Sequence, residues 1–120
     1  MLRIAIAGYG NLGRGVEHAV AQNPDMTLVG VFTRRDPSTV KTVTGAPVFA
    51  LSDVTAHKND IDVMIVCGGS ATDLPEMTPA LAERFNVVDS FDTHAKIPEH
   101  FEKVDAAALK GNHVALISGG

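Results

Sequence analysis

Apolar and polar residues alternate along this chain in two patterns. Six short runs are rich in Val, Ile, Leu and Phe, which is typical of strands buried on both faces of a parallel sheet. The predicted strands are residues 2–7, 27–32, 47–49, 61–66, 86–89 and 113–118. Each run stops at or just before turn-forming residues, so the strands are predicted to be short.

Segments between these runs repeat apolar residues every three or four positions, as amphipathic helices do. The predicted helices are residues 11–22, 73–85 and 98–110, with a shorter one at 52–57. Asp73 and Glu76 have the spacing of a capping box and Pro75 suits a first turn, so the second helix is predicted to begin there. The third has an apolar stripe of Ile97, Phe101, Val104 and Ala108, and ends at Gly111-Asn112.

Strands that alternate with helices specify an α/β domain with a parallel sheet covered by helices on both faces. About six strands suit the doubly wound Rossmann arrangement, with strand order 3-2-1-4-5-6. Residues 36–46 mix Pro, Ser, Thr, Gly and Lys without periodicity and predict a loop. We therefore expect one dinucleotide-binding domain over residues 1–120, with its ligand crevice at the carboxyl ends of the strands.

Composition narrows the class of partner. The chain has 45% hydrophobic and 20% charged residues and a formal net charge of -4, which fits a packed globular domain and argues against a general nucleic-acid binder. No apolar run is long enough for a membrane span, and the first residues lack the features of a signal peptide. The single cysteine, Cys67, cannot form an intrachain disulfide, so we expect a cytoplasmic protein that binds neither nucleic acid nor membrane.

A glycine motif lies between the first predicted strand and the first predicted helix. The pattern G-x-G-x-x-G is matched by Gly8-Tyr9-Gly10-Asn11-Leu12-Gly13. In this context the first glycine permits a tight turn, the second lets a pyrophosphate approach the backbone, and the third lets helix and strand pack closely. The amides of Asn11 and Leu12 would then face the anion at the helix N-terminus. The alternative is a glycine-rich turn that holds no ligand.

The end of the second strand predicts which dinucleotide is bound. Domains that prefer NAD usually carry Asp or Glu about 20 residues after the glycine motif. Here the run is Thr33-Arg34-Arg35, so two guanidiniums replace the carboxylate that would repel a 2′-phosphate. We infer NADP(H) as the cofactor. Two alternatives remain. Arg34 and Arg35 are only the solvated end of a strand, or Asp36 supplies the carboxylate that binds the ribose of NAD.

The histidines and the cysteine give only weak signals of a functional site. The histidines His18, His57, His100 and His113 show no metal or triad spacing and are expected on solvated faces or in local packing. Cys67 ends an apolar strand without a recognisable histidine partner, so it is interpreted as structural and not as a nucleophile. We predict no metal site and assign no catalytic residue with certainty.

Four segments together resemble the meso-diaminopimelate dehydrogenase family. They are residues 7–14 (AGYGNLGR), 32–35 (FTRR), 67–73 (CGGSATD) and 89–94 (DSFDTH), the last followed by Ile97-Pro98. The resemblance spans the chain and implies an NADP-dependent amino-acid dehydrogenase of lysine biosynthesis. That reaction oxidatively deaminates the D-centre of meso-2,6-diaminopimelate, giving L-2-amino-6-oxopimelate, ammonia and NADPH, and is reversible.

The resemblance also implies roles for particular residues. Carried over by motif, Tyr9 to Leu12 hold the pyrophosphate, Thr33 to Arg35 hold the 2′-phosphate, and Cys67, Gly68, Gly69 and Ser70 line the cofactor. Asp92, Thr93 and His94 would lie near the nicotinamide, with Asp92 contacting the D-centre of the substrate. The alternative for Asp92 is an N-cap or turn aspartate before the following helix.

The chain departs from the family after its last predicted strand. The family continues with a Trp-Asp-Pro-Gly run and a larger domain that binds substrate and forms the homodimer, whereas this sequence stops at Ser118-Gly119-Gly120. We expect a fragment that binds NADP(H) but turns over little diaminopimelate, because hydride transfer needs the substrate held in place. Detectable NADP-dependent oxidation of meso-diaminopimelate by the chain would contradict this. Alternatives are the NADP-binding half of another amino-acid or sugar oxidoreductase, or a non-enzymatic nucleotide-sensing domain.

Overall fold

The computed structural model describes residues 1–68, 73–90 and 96–117. Within them, six strands form one sheet in the order β3-β2-β1-β4-β5-β6, and every neighbouring pair is parallel. The strands are β1 (Leu2–Ala7), β2 (Met26–Thr33), β3 (Val48–Ala50), β4 (Val63–Val66), β5 (Asn86–Asp89) and β6 (Ala115–Leu116). This confirms the predicted doubly wound order. The sixth strand is much shorter than predicted.

Three α-helices and two 3₁₀ helices connect these strands in the described ranges. They are α1 (Asn11–Ala21), α2 (Leu74–Ala82), α3 (Ile97–Gly111) and the 3₁₀ segments Pro37–Thr39 and Leu51–Asp60. The predicted helix at 52–57 is thus part of a longer 3₁₀ segment. The predicted loop at 36–46 contains one 3₁₀ turn, whose N-cap Asp36 accepts a hydrogen bond from the Ser38 amide.

The predicted capping box at the start of α2 is wrong. Within the described residues, no side-chain hydrogen bond caps the helix at Asp73, and the Asp73 carboxylate instead forms an ion pair with Arg34 at the end of β2. The helix also ends at Ala82 instead of continuing to Phe85. A distant partner has therefore replaced the local cap that the spacing suggested.

Side chains of β1 alternate between two apolar clusters, one on each face of the sheet. Ala5 and Ala7 belong to the cluster that contains residues of α2 and α3, whereas Ile6 belongs to the cluster packed against Val16 of α1. A strand alternates its side chains with a period of two, so apolar residues at successive positions require cover on both faces. The prediction of helices on both faces is confirmed.

The predicted apolar stripe of α3 is only partly buried. Val104 and Ala108 are in the core, but Phe101 is 56% exposed. Phe101 lines an apolar cleft of about 600 Å³ between α3 and the β6 edge. Part of the predicted stripe therefore faces this cleft and not the core.

Candidate functional site

A crevice of about 970 Å³ opens at the carboxyl ends of β1, β2 and β4. Its walls come from the glycine turn after β1, the end of β2 with the loop that follows, the end of β4 and the start of α2. Ligands of open α/β sheets bind where the strand order reverses, which here is between β1 and β4. The volume lies at the upper end of the range for ligand pockets, as an extended ligand requires.

The glycine turn has the geometry that its motif predicts. Gly8 has φ +93°, and a Cβ there would lie 2.8 Å from the Cys67 carbonyl oxygen. A Cβ on Gly13 would lie 2.7 Å from the Gly8 carbonyl oxygen, so this glycine permits the close approach of α1 to the turn. At Gly10 a Cβ would meet none of the described atoms within 4 Å. The outer side of the turn is therefore open to a ligand.

The first turn of α1 is suited to an anion. Gly10 is the N-cap, and no side-chain hydrogen bond caps the helix within the described residues. The first amides of a helix lack intrahelical acceptors, so those of Asn11 and Leu12 are placed to donate to a ligand. The helix dipole favours negative charge at this end.

Arg34 and Arg35 both line the crevice at the end of β2. The Arg35 guanidinium donates to the Tyr9 carbonyl at 2.7 Å, and the Arg35 amide donates to the Thr33 hydroxyl at 3.0 Å. Arg34 reaches across to Asp73 at the start of α2. The predicted cations are thus brought together with the glycine turn.

Asp36 does not behave as a carboxylate directed at the crevice. Its Oδ1 accepts hydrogen bonds from the Ser38 hydroxyl at 2.8 Å and the Ser38 amide at 3.0 Å. These hydrogen bonds lower the Asp36 pKa. The carboxylate caps the first 3₁₀ helix, which weakens the alternative that it binds a ribose.

The crevice is also lined by two cations that sequence reasoning did not assign, Arg14 and Lys41. Arg14 follows the glycine motif directly, and its guanidinium lies 5.9 Å from the centre of the Tyr9 ring. Position in the first turn of α1 was a usable signal for it. Lys41 lies in the aperiodic loop, where the sequence offered no signal for a residue that lines the crevice. The four cations make this crevice locally basic in a protein of formal net charge -4.

Cys67 and Gly68 line the crevice at the end of β4. Cys67 is 9% exposed, and burial raises the pKa of its thiol to about 12. The thiolate is therefore scarce at neutral pH, in agreement with a structural role. The other predicted positions near the cofactor, Gly69, Ser70, Asp92, Thr93 and His94, lie outside the described residues.

A buried carboxylate beneath the glycine turn was missed by sequence reasoning. Glu17 of α1 is fully buried and accepts the Tyr9 hydroxyl at 2.5 Å. It also accepts the Val43 amide at 3.2 Å, the Thr44 amide at 2.8 Å and the Thr44 hydroxyl. Burial raises the Glu17 pKa, but the hydrogen bonds from Thr44 and Tyr9 lower it by more, so the pKa is below its usual value. Glu17 is therefore ionised at neutral pH.

Burial and the hydrogen bond to Glu17 raise the pKa of Tyr9. The Tyr9 phenol therefore remains protonated at neutral pH and donates to the carboxylate.

Two of the histidines, His57 and His100, contact other parts of the fold. His100 is buried on α3, with Nε2 2.7 Å from Oδ2 of Asp89 at the end of β5. The His57 ring lies 4.4 Å from the Phe49 ring, centre to centre. No group of three or more His, Cys, Asp or Glu side chains is placed to hold a metal ion within residues 1–68, 73–90 and 96–117. In the same ranges no helix is long and apolar enough to cross a membrane.

The sheet order, the glycine turn and the basic crevice define a Rossmann-type α/β domain. The chain is 63% identical to meso-diaminopimelate D-dehydrogenase of Lysinibacillus sphaericus, over 99% of this chain and 36% of the relative. No family model matches. By its sequence, the chain is similar to meso-diaminopimelate D-dehydrogenases, and it spans about a third of the length of the curated relatives it matches.

Solved structures agree with this assignment. An engineered D-amino acid dehydrogenase bound to NADP+ superposes with a TM-score of 0.92 at 48% identity, covering 99% of this chain and 36% of the other. The Corynebacterium glutamicum diaminopimelate dehydrogenase in complex with diaminopimelate gives the same TM-score, identity and coverage. The fold of this chain is therefore the fold of the matching part of these dehydrogenases.

Proposed function

We propose that this chain is the NADP(H)-binding part of an NADP-dependent meso-diaminopimelate dehydrogenase. The observation that carries the proposal is the pair Arg34 and Arg35 lining the crevice at the end of β2, where NAD-preferring domains place a carboxylate. A solved relative at 48% identity has NADP+ bound. The reaction is the reversible oxidative deamination of the D-centre of meso-2,6-diaminopimelate.

The described residues fit this cofactor. The uncapped start of α1 and the open side of Gly10 suit the pyrophosphate, and two guanidiniums suit a 2′-phosphate because they donate paired hydrogen bonds to its oxygens. When bound, the nicotinamide accepts or gives the hydride. The contribution of this domain is to bind and orient the dinucleotide.

The substrate side of the proposal rests on the family. A solved relative binds diaminopimelate, and Asp92 is proposed to hold the ammonium of the D-centre, with Thr93 and His94 beside the cofactor. The chain spans only 36% of the curated relatives, so we propose that the remaining length of such proteins completes the substrate site. We further propose a cytoplasmic homodimer for the complete enzyme.

Calorimetric titration with NADPH and, separately, NADH tests the cofactor assignment. The unchanged chain should bind NADPH more tightly. Loss of two charge-assisted hydrogen bonds should cost about 3 kcal/mol, or roughly 100-fold in affinity. The double change Arg34→Ala/Arg35→Ala should therefore abolish the preference and weaken NADH binding far less than NADPH binding, since NADH loses only the support that Arg35 gives the Tyr9 carbonyl.

The matched control is Arg84→Ala, which removes an exposed arginine after the end of α2. This variant should bind both dinucleotides as the unchanged chain does. Equal affinity of the unchanged chain for NADPH and NADH, or binding of neither, would refute the assignment of NADP(H).

A further inference from the structure

The loop between the first 3₁₀ helix and β3 forms one wall of the crevice. Thr39, Val40 and Lys41 line the cavity, and Val40 is buried in the same apolar cluster as Tyr9. Beyond Thr39 the loop has no regular structure until β3 begins at Val48. Its position therefore depends on specific contacts with the rest of the domain.

Glu17 supplies those contacts. Its two carboxylate oxygens accept the amides of Val43 and Thr44 and the Thr44 hydroxyl. A buried carboxylate is costly unless it is fully hydrogen-bonded, so undocking the loop would leave this charge without most of its donors. The loop is thereby held to α1.

Tyr9 joins the same contacts to the glycine turn. Its hydroxyl donates to Glu17 at 2.5 Å, and its backbone carbonyl accepts the Arg35 guanidinium at 2.7 Å. One residue of the turn thus connects the arginine at the end of β2 with the carboxylate that holds the loop. These hydrogen bonds therefore link the glycine turn, the end of β2 and the loop.

We propose that Glu17 and Tyr9 are positioning residues that hold Lys41 as a third cation for the 2′-phosphate, which makes Lys41 specificity-determining. This inference rests on the proposed NADP(H) function. Lys41 is exposed, lines the same crevice as Arg34 and Arg35, and lies two residues before the first amide bound by Glu17. Glu17 is fully buried, so its charge is directed at the loop and away from the ligand.

The test is a titration of NADPH and NADH against the unchanged chain, Glu17→Gln, Lys41→Ala and the double variant. Lys41→Ala should weaken NADPH binding about 5-fold, as expected for one solvent-exposed ion pair, and leave NADH binding unchanged. Glu17→Gln should act in the same direction, because the amide cannot accept all the donors of the loop. The double variant should bind NADPH no more weakly than the weaker of the two single variants.

The controls are Glu102→Gln and Lys58→Ala, which alter exposed side chains outside the crevice and should change neither affinity. If Glu17→Gln does not fold, Tyr9→Phe removes the hydroxyl that donates to Glu17 and accepts the Val43 amide, and it should also weaken NADPH binding selectively. Equal weakening of NADPH and NADH, no effect of either single change, or additive effects in the double variant would overturn the inference. Failure of the proposed function is distinct, because the unchanged chain itself would then show no preference for NADPH.

Discussion

Two glycines at helical positions should respond to alanine in opposite directions. Gly15 is exposed within α1, and a Cβ there would meet none of the described atoms within 4 Å. Gly111 is the last residue of α3, and a Cβ there would lie 1.9 Å from the Glu83 carbonyl oxygen and 2.5 Å from the Glu83 carbonyl carbon. Helix propensity alone predicts that both substitutions stabilise the chain by about 1 kcal/mol.

The contact at Gly111 reverses that expectation. The Cβ would have to move by about 1 Å to reach an allowed distance, and the obstacle is backbone at the end of α2, which cannot rotate away as a side chain can. Overpacking a close contact typically costs about 1–3 kcal/mol, and an immobile neighbour favours the upper end. After the propensity gain is subtracted, Gly111→Ala should destabilise the chain by about 2 kcal/mol.

Thermal unfolding followed by circular dichroism separates the two cases. For a domain of this size, 1 kcal/mol corresponds to roughly 4 °C, so Gly15→Ala should raise Tm by roughly 4 °C and Gly111→Ala should lower it by roughly 8 °C. Gly15→Ala is the matched control, since it makes the same chemical change without the contact. A Gly111→Ala chain as stable as the unchanged one would refute the close crossing of α3 over the end of α2.

Two further predictions concern titratable groups. The side chain of Arg3 and then its amide donate hydrogen bonds that lower the Asp62 pKa to about 2 from 3.8. The stability from this ionised carboxylate is therefore present above about pH 4 and is lost as the pH falls towards 2. In urea unfolding, Asp62→Asn should flatten this part of the dependence of stability on pH. Parallel pH profiles for the two chains would contradict the prediction. Burial raises the Cys67 pKa to about 12. Alkylation of Cys67 by iodoacetamide, followed by mass spectrometry, should therefore be at least about 100-fold slower in the folded chain than in urea. Similar rates in the two conditions would show that the thiol is accessible.

Much of the fold follows from patterns that are local in the sequence. The apolar run of β1 requires cover on both faces, and the helical repeats between strands provide it. Short crossovers between parallel strands leave few topologies, so the strand order could be predicted and is confirmed. The close packing of Gly13 against the Gly8 carbonyl is equally local, whereas Gly8 itself meets the Cys67 carbonyl at the end of β4.

Features that depend on distant partners could not be predicted. Asp73 has the spacing of a local cap, yet it pairs with Arg34, 39 residues away. The sequence pattern places Glu17 on a helix among polar residues, which gives no sign that it is buried. In the structure, the loop at Val43 and Thr44 covers Glu17 and donates hydrogen bonds to it. In both cases the side chain satisfies its charge with donors that only the folded chain brings near.

The candidate site divides in the same way. The sequence by itself determined the glycine turn and the position of the cations Arg34 and Arg35 beside it, because these residues lie at the ends of their own strands. Only the tertiary structure decided that Lys41 faces the same crevice and that Phe101 remains exposed. The physical reason is that an aperiodic loop takes its path from the contacts that hold it, and a helix residue is buried only where the fold packs other residues against it.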